Sequence, residues 1–159
     1  MDYQGSFARS PSLLDDSLLH YPDLAEKAVL DAIRTWLRPE CRVQRGAEDW
    51  RDGLSEAGMS LDSLRYLDLL MHTLMSTTQR PLDTRCRCAS DLTHDEASLL
   101  QVIGLLQRTR SEAAMRLLND WLPEPVVGGM LKLVRWFAIA LLDAGLAIPV
   151  RARHVSYMH

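Results

Sequence analysis

The sequence predicts an all-α, single-domain bundle of five or six helices arranged around an apolar C-terminal helix. Three observations carry that prediction. Apolar residues recur near a 3.6-residue period in successive windows. Leu and Ala are abundant while β-branched runs are scarce, a balance that favours helix. The stretch 126–148, VVGGMLKLVRWFAIALLDAGLAI, is apolar on nearly every face. In an ideal helix its charged residues, Lys132, Arg135 and Asp143, share one narrow stripe with Gly128 and Ile139. A helix with so little polar surface is buried in a core or against a partner. Two cations and a carboxylate within it would be costly in lipid, so no membrane span is expected.

The elements follow in order. Residues 1–20 mix Ser, Asp, Gly and Pro with the pairs Leu13-Leu14 and Leu18-Leu19, and read as a flexible arm ahead of a bundle over 21–148. From Pro22 to Arg38, Leu24, Ala28, Leu30, Ala32, Ile33, Trp36 and Leu37 mark a first helix, with Pro22 in its first turn and Pro39 ending it. A short helix from Ala47 to about Ala57 is anchored by Trp50 and Leu54 and closed by Gly58. Ser60 caps a third helix to about Thr78, with Leu61, Leu64, Leu67, Leu70, Met71, Leu74 and Met75 as its stripe. Residues 79–92 break the pattern. Thr93 and Glu96 then stand at capping-box spacing before Leu99, Leu100, Val102, Ile103, Leu105 and Leu106. Ser111 caps a fifth helix bearing Ala114, Leu117, Leu118 and Trp121, stopped by Pro123 and Pro125. Pro125 opens the apolar sixth and Gly145 closes it. Residues 149–159 have no helical period and form a tail over the surface.

Charge narrows the function classes. A formal net charge of -3 argues against a protein that holds nucleic acid by bulk electrostatics. Of the 18 basic residues only Lys27 and Lys132 are lysines, a bias typical of GC-rich bacterial coding and also suited to forked pairing with carboxylate or phosphate. The first residues lack a secretory pattern, and the cysteines Cys41, Cys86 and Cys88 are odd in number, so a disulfide framework is not expected and a reducing, cytoplasmic setting is.

Three constellations bear on function, and the catalytic motifs are absent. Cys86 and Cys88, if extended, point the same way, and with His94 and either Cys41 or His72 they would make a tetrahedral zinc site; the plain alternative is a loop of half-buried thiols with an exposed histidine. Arg85 and Arg87 would favour the thiolates. Residues 50–67 resemble a helix-turn-helix in outline, with Gly58 at the turn. However, Leu54 stands where that motif wants a small residue, and Asp62 and Asp68 outnumber Arg65 on the reading face. No nucleophile elbow, HExxH, phosphate loop or dinucleotide fingerprint occurs. Asp95 and Glu96 suit a helix N-terminus by the dipole alone. Finally, Gly128 and Gly129 would let another backbone approach the sixth helix or serve packing within the fold, and Arg151 and Arg153 could engage an acidic partner. The resulting expectation is a cytoplasmic, non-enzymatic regulatory or adaptor protein that needs no cofactor and binds another protein, a second copy of itself being one candidate. Its alternatives are a metal- or redox-responsive protein and a DNA-binding regulator.

Overall fold

The computed structural model describes residues 22–39 and 49–151, and among them every regular element is a helix. These are α1 (Leu24–Leu37), α2 (Asp52–Glu56), α3 (Leu61–Thr77), α4 (His94–Gln107), α5 (Ser111–Asn119) and α6 (Glu124–Asp143). Helix α6 packs against α3, α4 and α5, α4 also meets α1 and α5, and α2 bridges α1 and α3. The predicted all-α bundle with an apolar C-terminal helix is the observed architecture.

The starts of α1, α3 and α4 follow side chains able to satisfy the first free amides. In α1 this is Asp23, whose Oδ1 accepts from Glu26 N at 2.8 Å while Glu26 Oε1 accepts from Asp23 N at 2.9 Å. Pro22 precedes that capping box and lies outside the helix, contrary to expectation. Helix α3 is capped by Ser60 and α4 by the Thr93–Glu96 box, both as the spacing predicts. Ser111 does not cap α5. It is the first helical residue, and its hydroxyl accepts from Arg135 Nη2 at 2.8 Å on α6. Helix α2 starts at Asp52; the expected beginning at Ala47 lies outside the described residues. Gly58, at φ +113°, lets Met59 N donate back to Leu54 O and turns the chain into α3.

Two expected core stripes are narrower than read. Leu24, Leu61 and Met75 are exposed, whereas Val29 and the charged Glu26 and Arg34 are buried in α1. Helix α4, not only α6, is the enclosed element: every residue from Asp95 to Leu106 is buried.

The apolar stretch to Ile148 is not one helix. Helix α6 ends at Asp143, Gly145 takes φ +84°, and Leu146 N donates to Leu141 O at 2.8 Å. Residues 146–151 then run back across α4, where two glutamines replace the missing strand partner. Gln107 Nε2 donates to Leu146 O at 2.9 Å and its Oε1 accepts from Ile148 N at 2.8 Å. Gln101 Nε2 donates to Pro149 O at 3.2 Å and its Oε1 accepts from Arg151 N at 3.1 Å. The first residues of the expected tail, 149–151, are therefore held, and Arg151 pairs with the buried Glu26. The crossing is close because Gly104 lies beneath it: a Cβ there would sit 2.9 Å from Ile148 O.

This geometry separates two glycine substitutions. Gly104→Ala should destabilise by about 1–3 kcal/mol through backbone displacement, despite the better helix propensity of alanine. Gly128→Ala, whose Cβ meets nothing within 4 Å, should stabilise by up to about 1 kcal/mol. Urea unfolding of both variants should give opposite signs; equal signs would contradict the packing described.

Candidate docking surface

The cysteine loop is built on the first turn of α4. Glu96 and Arg34 are both almost fully buried and meet in a forked pair, Nε to Oε2 at 2.9 Å and Nη2 to Oε1 at 2.8 Å. Glu96 also accepts from Thr93 N at 3.0 Å and Arg85 N at 2.9 Å, and Arg34 donates to Ala89 O at 2.9 Å and Asp91 O at 2.8 Å. One turn of helix thus fixes the loop in front of it. Asp95 does the same from the other side: it accepts from Arg80 at 2.8 and 2.9 Å and from Asp83 N at 2.8 Å. Arg80's hydrogen bonds hold the Asp95 carboxyl below the usual carboxylate range, the Asp83 amide adds to this, and burial works against it.

Within that loop the proposed zinc ligands do not converge. Residues 86–89 form a turn closed by Ala89 N to Cys86 O at 3.0 Å, so the extended geometry that would align the two sulfurs is absent. Cys86 is disulfide-bonded, against the expectation of a chain without disulfides, and Cys88 is free and exposed. A disulfide sulfur offers no thiolate to a metal. Arg85, expected to favour thiolates, reaches Asp91 at 3.4 Å. His94 is an exposed first-turn residue of α4. His72 lies on α3, exposed, 3.5 Å from Asp68 and edge-on to Trp36 at 4.8 Å between ring centroids. Cys41 and Arg153 lie outside the described residues. Among those described, no three His, Cys, Asp or Glu side chains gather as a metal site.

The partner-binding candidates fare differently. Arg151 is committed to Glu26 inside the fold. Gly128 and Gly129 are exposed, and a Cβ at either would touch nothing, so packing among the described residues does not explain them. They lie on a face of α6 that, among the described residues, only the edge of α3 approaches. Along it, Trp136, Ile139 and Leu142 are 43%, 46% and 45% exposed. Trp136 leans on Tyr66 of α3, ring centroids 5.7 Å apart, and Lys132 Nζ sits 5.5 Å from the Trp136 ring centroid. Between α3 and α6 lies an open groove of about 190 Å³ lined by Ser63, Tyr66, Trp136, Ile139, Ala140 and Asp143. Leu69, one turn along α3 from Tyr66, is also exposed. The sequence places the charged stripe and Gly128 on this side of α6, but only the structure shows that Trp136 and Leu142 share it.

Helix α6 is, by length and apolarity alone, able to cross a membrane, yet Val127, Met130, Val134, Phe137 and Leu141 pack its inner side into the bundle. Compared with known proteins, the chain matches no family model, no curated protein and no solved structure.

The depressed Asp95 carboxyl makes a pH prediction. Its folded affinity for protons is below that of the unfolded chain, so the stabilisation is complete above the unfolded carboxylate value of about 3.9 and drains away as pH falls through the lower folded value. Arg80→Ala removes the main cause of the depression. Stability measured by urea titration should therefore fall less steeply between roughly pH 5 and pH 2 in that variant than in the parent. Equal slopes would contradict the assignment.

Proposed function

We propose that this is a non-enzymatic regulatory or adaptor protein that works by binding another protein through the outer face of α6 and the adjoining edge of α3. The observation that carries the reading is the combination on one helix of large exposed apolar side chains, Trp136 and Ile139, with two exposed glycines that no packing among the described residues requires. Each glycine weakens an exposed helix by about 1 kcal/mol relative to alanine. Side chains of this kind around a groove are also what anchors an interface, since tryptophan in a partly enclosed pocket dominates binding energies. The groove's chemistry supports recognition over turnover. Its polar groups are few, and Ser63 Oγ already accepts from Ser60 Oγ at 3.0 Å. The duplex-reading alternative gains no support from α3, whose exposed residues include Asp62 and Leu69 beside Arg65.

The reading is tested by replacing Ile139 with Glu, which puts a charge at the centre of the face without entering the core. Proteins cross-linked to the full chain in its native cells should be lost from the variant by at least about tenfold, with the fold intact by circular dichroism. An unchanged set of cross-linked proteins would refute the reading.

A further inference from the structure

The outer face of α6 has a pattern that specifies its occupant. Gly129, Lys132, Trp136, Ile139 and Asp143 recur at spacings of 3, 4, 3 and 4 residues, and all five are exposed. That is a heptad seam, the arrangement by which one helix lies along another at a shallow angle. Its two charges are of opposite sign and close the two ends of the apolar pair. Among the described residues neither Lys132 nor Asp143 is in an ion pair with this chain. Asp143 is, moreover, the last residue of α6, where the helix dipole disfavours a carboxylate. A charge held at the wrong end of a helix suits a cation supplied from outside.

We infer that the occupant is a second copy of this chain, with the two α6 helices antiparallel about a two-fold axis passing between residues 137 and 138. This deepens the proposed function and rests on its reading of the α6 face. Reflection through that axis pairs residue i with 275 − i. Lys132 then faces Asp143 of the other copy, and Trp136 faces Ile139 of the other copy, each pairing occurring twice. The parallel alternative sets lysine against lysine and aspartate against aspartate, which the charges disfavour. An isologous contact of this kind closes on itself and leaves no free end for fibre growth. A seam of this length is small, so the dimer should be a weak one that dissociates on dilution.

Sedimentation equilibrium of the full chain over a wide concentration range tests this. The parent should pass from monomer to dimer. Lys132→Asp and Asp143→Lys should each weaken the dimer by at least about tenfold, because each turns both ion pairs into repulsions. The double variant, with the charges exchanged, should regain the parent affinity to within about threefold. Both substituted positions lie on the surface, and thermal unfolding checks that each of the three variants is folded. A parent that stays monomeric at every concentration overturns the inference, as does a dimer that the single variants leave unchanged or that the exchange does not restore. A monomeric parent whose cross-linked partners are still lost on Ile139→Glu would refute the self-association alone. A chain with neither property would refute the binding face itself.

Discussion

The Arg34–Glu96 pair is the constraint on which the arrangement of the helices depends. Glu96 closes the capping box of α4, and the same carboxylate accepts the arginine of α1 and the backbone of the loop at Arg85. Arg34 in turn spends its remaining donors on the loop carbonyls of Ala89 and Asp91. Both groups are out of solvent, so removing either would strand the other and cost about 3–5 kcal/mol. Three segments distant in sequence are thereby given one register. Since α4 is enclosed along its length, that register passes to α5 and α6, which pack on it.

Arginine and glutamine do, in this fold, what strands do elsewhere. The loop before α4 and the segment after α6 are both irregular and both hydrogen-bonded to helix side chains: Arg34, Asp95, Gln101 and Gln107 donate to or accept from backbone that no ladder reaches. Irregular backbone can then cover a helix without leaving buried polar groups unpaired. The inner side of the bundle is closed in this way by charge and amide. Among the described residues nothing closes the outer side of α6 in this way. Its apolar groups stand between two ends of opposite charge, and the partner contact proposed above would account for a stretch that is apolar nearly all round.

Local periodicity made much of this legible. The Thr93–Glu96 box, the Ser60 cap, the Gly58 turn and the apolar C-terminal helix can each be read from a window of a few residues, because each is caused within that window. What was not legible has causes far away in sequence. Arg34, Gln101 and Gln107 carry no local signal, because the Glu96 partner of Arg34 lies 62 positions on and the backbone that the glutamines hold follows a turn at Gly145. Pro22 draws the start of α1 too early because the Asp23–Glu26 box beside it is the stronger signal. Of the candidate site residues, Gly128 and Gly129 lie on the open face. Cys86, Cys88 and His94 share a stretch of chain but not a geometry, since a turn rather than a strand connects the two sulfurs.

The isoleucines offer a direct test of the open face. The chain has four, Ile33, Ile103, Ile139 and Ile148; three are buried in the core and Ile139 alone lies on the outside of α6. With their methyl groups isotopically labelled, a soluble paramagnetic agent should broaden only the Ile139 signal in dilute protein, and raising the protein concentration should remove that broadening while the other three stay sharp throughout. An Ile139 methyl as protected in dilute solution as the three core methyls would show that the chain covers its own helix, and would contradict the account.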